Sequence, residues 1–171
     1  MRYLTIFILF FLLANVAWAL EIKSSAFENG AYIPVKYSCS SLDISPSLEW
    51  SDIPEGTKSF AIICDDPDAP SGVWVHWVIY NIPADKRSLE ENIPKISQLS
   101  DGIIQGRNDF GSIGYGGPCP PLGSPHRYFF TIYALDTVLH LNQQIIEKKE
   151  LIQAMQGHIL AEAHLIGLFK R

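Results

Sequence analysis

Apolar and polar positions alternate in three different ways along this chain. The first stretch barely alternates: Leu4 to Val16 is apolar except at Thr5 and Asn15, with Arg2 before it and Ala17-Trp18-Ala19 after it. A short basic start, an apolar run and small residues at positions −3 and −1 make a secretory signal, with cleavage expected before Leu20. The run is shorter than the ~20 apolar residues a membrane span needs, which ranks an anchor below a cleaved signal.

From Leu20 onward, eleven prolines and twelve glycines, all of them in this part, cut the chain into short pieces. Between them lie runs rich in Val, Ile, Phe, Tyr and Trp, which favour strands. Ser59 to Cys64, Trp74 to Ile82 and Tyr128 to Leu135 are the clearest. Ile22 to Phe27, Tyr32 to Tyr37 and Leu48 to Trp50 are weaker candidates. Trp74 to Tyr80 is apolar on both parities except at His76, as expected of a central strand covered on both faces. Strict alternation would place Trp74, His76 and Val78 on one face. Glu147 to Gln156 has good helix formers, with Gly157 suited to follow the C-cap. The tail from His158 to Arg171 reads as a strand, and the polar segment from Pro83 to Gly117 as a long loop with short extended pieces, a type often functional.

Composition narrows the function classes. Removing residues 1–19 takes away one basic residue and no acid, leaving 152 residues with 12 basic against 18 acidic side chains, a balance of −6. That is one ordinary domain with a real core. No basic run survives to grip nucleic acid or anionic lipid, and no Lys-rich amphipathic helix is available to lie on a membrane. The mature chain is expected to be soluble and without stable membrane insertion, and its apolar content is compatible with a homodimer. Export places Cys39, Cys64 and Cys119 in an oxidising compartment, where one disulfide can form and one thiol is left over. Cys64 lies in an apolar run and reads as a small buried hydrophobe, whereas Cys39 and Cys119 sit in loop-like sequence. Cys39–Cys119 is therefore the preferred pair, although the sequence leaves all three pairings open.

Three patches carry candidate chemistry. Asp65-Asp66-Pro67-Asp68-Ala69-Pro70 crowds three carboxylates onto a turn stiffened by two prolines. Such charges repel unless something compensates them; alone, the patch could be a rigid acidic turn. Trp74-Val75-His76-Trp77 buries an imidazole that needs partners for its ring nitrogens. A lone core histidine is usually structural, but here an acidic turn lies just upstream, and a His–Asp pair would fix the tautomer. Gly114-Tyr115-Gly116-Gly117-Pro118-Cys119-Pro120-Pro121 precedes His126-Arg127-Tyr128. Exposed N–H groups of stiff glycine-rich loops can cradle anions, and His126 and Tyr128 share strand parity.

These residues, in this order, resemble the signature of the phosphatidylethanolamine-binding protein family. The likeness runs through Asp66-Pro67-Asp68-Ala69-Pro70, His76 to Asn81, Gly117-Pro118 and His126-Arg127-Tyr128. Ser45 to Trp50, Gly106 to Gly111 and Gly116 to Pro121 resemble its bacterial, Raf-kinase-inhibitor-like branch. The resemblance covers the chain from about Phe27 onward. It implies a mainly β fold, an antiparallel β-sandwich with one or two short helices, and a small pocket for phosphate, phosphoryl head groups or acetate. Carried over by position, the pocket involves Asp66, His76, Gly117, Pro118 and His126. Tyr128 falls on its wall and Ala69, Pro70 and Trp74 on its rim. Two departures stand out: only Ser71-Gly72-Val73 separates Pro70 from Trp74, and no long C-terminal helix follows the last strand before Arg171.

The expected function is an exported, non-enzymatic binding protein, periplasmic or secreted. It needs no cofactor, takes a small anion, and scavenges it or modulates a protein partner. Two alternatives use the same residues. One is a hydrolase with Cys119 as nucleophile, His126 as base and Asp66 as orienter. The other is a Zn²⁺ site of Asp66, Asp68, His76 and His126.

Overall fold

The computed structural model describes residues 19–141 and 145–171. The expected leader therefore lies outside the described residues, apart from Ala19. Among the described residues eight strands follow in chain order: β1 Glu21–Lys23, β2 Leu48–Ser51, β3 Ser59–Asp66, β4 Trp74–Pro83, β5 Ser88–Leu89, β6 Ile104–Gln105, β7 His126–Leu135 and β8 Ile159–Phe169, with one helix, α1 Lys148–Met155, before the last. They form two antiparallel sheets, a small one in the order β1-β2-β5 and a large one in the order β6-β4-β3-β7-β8.

β3 is the central strand, and period-two alternation makes it two-sided. Phe60, Ile62 and Cys64 face the small sheet, joined there by Trp77, Ile79, Phe130, Ile132, Leu48 and Trp50. Ala61 and Ile63 face the other way, with Val78, Tyr80 and Leu135, onto Leu151 and Met155 of α1. A large sheet with both faces covered explains why β3 and β4 read as nearly continuous apolar runs. Helix α1 starts on a capping box, in which Glu147 and Glu150 satisfy each other's backbone N–H groups. Its i, i+4 pair Leu151 and Met155 is the face it buries. Gly157, at φ 81°, takes the left-handed turn that ends it.

Two of the weaker strand candidates are shorter or different in the structure. Ile22 to Phe27 keeps strand geometry only through Lys23, because the Ser24 hydroxyl bonds the Ser47 carbonyl and accepts the Ala26 N–H. Tyr32 to Tyr37 is not a strand. Tyr32 makes a single parallel bridge to Leu168, and Val35–Tyr37 coils into a 3₁₀ turn in which the Pro34 carbonyl accepts the Tyr37 N–H.

The larger difference lies in β4. Cys64 pairs with Trp77 but Asp65 pairs with Val75, so His76 is an extra residue with no partner on β3. A bulge of this kind breaks the alternation and re-aims the side chains beyond it. Val78 consequently packs on the helix side, while Trp74 and His76 turn toward the opposite end of the sandwich. The single face expected for Trp74, His76 and Val78 is therefore corrected: the three do not share one.

Candidate functional site

The core-facing register of the large sheet runs out at one end of the sandwich and leaves a cavity of about 340 Å³. Asp66 continues the face of Phe60, Ile62 and Cys64, and His126 that of Tyr128, Phe130 and Ile132. The register pairs Asp66 with Trp74, and the bulge delivers His76 to the same place. Asp66, His76, His126, Trp74, Ala69 and Pro70 all line the cavity, so the structure brings together six of the nine residues singled out in the sequence.

The two histidines are held in the same way. His76 Nδ1 donates to the Gly116 carbonyl oxygen at 2.7 Å, and His126 Nδ1 donates to Asp66 Oδ2 at 2.8 Å. Each acceptor lacks a proton to give, so Nδ1 carries the hydrogen in both rings and Nε2 is the uncommitted nitrogen. Asp66 Oδ1 in turn accepts the Asp68 N–H at 2.8 Å, which locks the carboxylate. The ring of His76 is clamped edge-on between Phe110 (5.3 Å between centroids) and Tyr128 (5.1 Å). Trp74 meets the same Phe110 edge at 5.4 Å.

The three crowded carboxylates of the acidic turn diverge, and each finds its own cation or imidazole. Asp65 turns to the helix side and accepts Lys148 Nζ at 2.6 Å. Asp66 takes His126, and Asp68 takes Arg127 in a bidentate pair at 2.7 and 2.9 Å. The guanidinium holds the Asp68 carboxyl down to about 2. Asp68 is thereby committed outside the cavity, and among the described residues no group of three or more His, Cys, Asp or Glu is arranged to hold a metal ion. The four residues of the Zn²⁺ reading are thus not gathered into one ligand set, because Asp68 faces Arg127.

Gly117, Pro118 and Tyr128 do not line the cavity. The Gly117 N–H, expected to face an anion, donates to Asp43 Oδ1 at 2.6 Å. Gly117 lies instead in a neighbouring depression with Asp43, Lys95 and Cys39. Pro118 presents its carbonyl to the Cys39 N–H. Tyr128 is fully buried behind His76, and its hydroxyl is without a hydrogen-bond partner. Burial, then the nearby Asp66 charge, pushes its phenol well above the usual range. Cys119 does line the cavity, but it is joined to Cys39 by a disulfide, with Cα atoms 5.4 Å apart. It offers no thiolate, and the hydrolase reading loses its nucleophile. Burial pushes the remaining thiol, Cys64, well up, as expected of an inert core cysteine.

Ser71, Phe110, Pro120 and Pro121 complete the lining; the two prolines belong to the glycine- and proline-rich patch and Phe110 to the Gly106 to Gly111 motif, but none of the four was expected as a pocket residue. Phe110 carried the one readable signal, an aromatic stranded in Asn108-Asp109-Phe110-Gly111; it is 45% exposed in the structure.

Burial lowers the pKa of His76, and the Gly116 carbonyl only partly offsets this. His76 is thus neutral near pH 7, with a bare lone pair on Nε2. A folded-state value below the unfolded one means that the unfolded chain takes up the proton first. His76 then contributes stability that is present above about pH 6.5 and lost as pH falls through its depressed folded value. Urea unfolding of the wild type and of His76→Gln between pH 7.5 and 5 checks this. The wild type should lose more stability than the variant, and parallel curves would contradict it.

A two-sheet sandwich whose open end holds a paired Asp–His and a second, buried histidine defines a compact class of β protein. The chain belongs to the phosphatidylethanolamine-binding protein family, whose profile matches residues 23–170. It is 54% identical over 152 residues to a UPF0098 protein of Methanothermobacter thermautotrophicus, covering 89% of this chain and 99% of that one. A UPF0098 protein of Aquifex aeolicus is 52% identical over 153 residues, covering 89% of each. Among solved structures, a phosphatidylethanolamine-binding protein homolog from Chlamydia trachomatis superposes with a TM-score of 0.81 at 42% identity, over 90% of this chain and 99% of that one. Escherichia coli YbcL, described as a member of the mammalian family, gives 0.83 at 34%, over 89% and 98%.

Proposed function

We propose that the protein is a non-enzymatic binding protein, acting outside the cytoplasm, whose cavity takes a small oxyanion such as phosphate or a phosphoryl head group. One observation carries the reading. Both cavity histidines commit Nδ1 to the protein and keep Nε2 uncommitted, in a lining otherwise dominated by Ala69, Pro70, Trp74, Phe110, Pro120 and Pro121. Two Nε2 atoms held at fixed orientations suit a ligand that offers an O–H, as a monoprotonated phosphate does. Neutral His76 accepts a hydrogen bond from the ligand's O–H, so the ligand keeps that proton and does not bring its full negative charge beside Asp66. The non-enzymatic part rests on Cys119, the one cysteine that lines the cavity among the described residues, being disulfide-bonded.

Export is supported by the leader pattern of residues 1–19 and by a disulfide that suits an oxidising compartment. Among the described residues no helix is long and apolar enough to cross a membrane. In that setting the protein scavenges its ligand or presents the loaded pocket to a protein partner.

A thermal-shift series tests the pocket. Phosphate, acetate or phosphoethanolamine at a hundred times its dissociation constant should stabilise the protein by ~2.7 kcal/mol, a shift of a few degrees. His126→Ala should remove the shift while keeping the strand-rich circular dichroism spectrum. A full shift in that variant would place the ligand elsewhere.

A further inference from the structure

The two halves of the loop that walls the cavity are held by different means. Tyr115 to Gly117 is fixed by hydrogen bonds. The Tyr115 hydroxyl donates to the Tyr37 carbonyl, the Gly116 N–H to the His76 carbonyl, and the Gly117 N–H to Asp43. From Pro118 to Pro125 this support stops. Four of the eight residues are prolines with no N–H to give. Among the described residues, the one backbone hydrogen bond made by this stretch is that of the Pro118 carbonyl, at its very start. Yet Cys119, Pro120 and Pro121 are cavity wall. Pro120 is buried and so is also held by packing; the covalent fastening of this wall is the bond from Cys119 to Cys39, supplemented by Arg171 Nη1 against the Cys119 sulfur at 3.6 Å.

The other end of the disulfide is firm. Cys39 follows the 3₁₀ turn, where the Ser38 N–H and hydroxyl both donate to the Val35 carbonyl and the Ser38 hydroxyl accepts the Ser40 N–H. Cys39 is also exposed, so a soluble dithiol can reach the bond.

We infer that the Cys39–Cys119 disulfide is a redox-sensitive tether of the cavity wall, so that its reduction releases residues 119–125 and weakens ligand binding without unfolding the sandwich. This rests on the anion-pocket reading above. The step is a thiol–disulfide exchange: a dithiol reductant is oxidised to its own disulfide, while Cys39 and Cys119 become two thiols, each taking one proton. Buried Cys64 stays outside the exchange.

The test compares the purified oxidised protein, the same protein reduced with dithiothreitol under native conditions, and the double variant Cys39→Ser/Cys119→Ser. Phosphate and phosphoethanolamine affinities are measured by calorimetry, and chymotrypsin cleavage after Leu122 is followed as a readout that needs no ligand. Leu122 is 80% exposed, so access does not limit cleavage; the rigidity of the segment does. Reduction should raise the dissociation constant at least tenfold and speed the cleavage, with far-UV circular dichroism unchanged. Equal affinity and equal cleavage in the oxidised and reduced forms would overturn the inference. So would unfolding on reduction of the wild-type protein, which would make the bond a staple of the fold. If neither form binds either probe, the anion-pocket reading fails by itself. The cleavage comparison then decides the tether alone, faster cleavage supporting it and unchanged cleavage overturning it.

Discussion

Asp66→Ala should lose anion binding altogether and about 3–5 kcal/mol of folding stability, a large part of the ~5–15 kcal/mol a domain of this size possesses. The carboxylate is 3% exposed and satisfies two groups at once, the His126 Nδ1–H and the Asp68 N–H. Truncation leaves the imidazole without its anchor, and a buried donor without a partner costs its full desolvation penalty. It also frees the ring to turn, so Nε2 no longer faces a ligand at a fixed angle. Asp66→Asn separates the two contributions: the amide oxygen still accepts from Nδ1, but the charge is gone. Its Nδ2 group, however, faces the Asp68 N–H donor to donor, so the asparagine variant should recover only part of the stability and part of the binding. Urea unfolding with an unchanged m-value, beside a phosphate titration, reads both quantities. A loss under about 1 kcal/mol with binding intact would mean that the Asp66–His126 pair is incidental to the site.

Gly117→Ala should be the most damaging single-methyl addition near the site, at about 3 kcal/mol, the upper end for overpacking. A Cβ there would run into the Tyr37 carbonyl oxygen and come within 2.8 Å of both Asp43 Oδ1 and the Ser38 Cα. Backbone atoms cannot give way as a flexible side-chain end can. The methyl also pushes the Gly117 N–H off Asp43, whose other oxygen holds Lys95 at 2.6 Å. The glycine is thus required for close approach of two backbones rather than for an open N–H nest. Thermal unfolding should show the loss with or without phosphate. A change below about 1 kcal/mol would show that the loop can shift to accommodate the methyl.

Several parts of this protein were legible from residues alone. The apolar runs of β3, β4 and β7 announced the central strands, because a sheet covered on both faces leaves no polar alternation to blur them. The tail strand and the helix were also readable, the helix because Gly157 punctuates its end. The acidic turn and the two histidines were gathered into one pocket by the family resemblance; residue types alone offered a pairing of His76 with the acidic turn, and the structure gives the Asp66 carboxylate to His126 instead. What stayed hidden depends on backbone geometry that residue type does not encode. The bulge at His76 changes the direction of a side chain without changing the composition of the strand. Tyr32 to Tyr37 has β-forming residues, yet Pro34 removes a ladder donor and its carbonyl starts a 3₁₀ turn instead. The Gly117 N–H looked available for a ligand because Asp43, 74 residues away, could not be seen approaching it. Phe110 and the two prolines of the wall enter the cavity through loop packing, for which no periodicity exists.

The extra residue in β4 also sets where the chain can change length. Ser71-Gly72-Val73 lies on the approach to Trp74, and residues gained or lost there reshape the mouth while the registers of β3 and β4 stay as they are. One residue lost between Trp74 and Trp77 would remove this bulge and swap the directions of everything before it, leaving the second irregularity opposite Phe60 and Ile62 in place. Size at the rim and chemistry at the floor are therefore adjustable separately: the first by insertion, the second only by substitution.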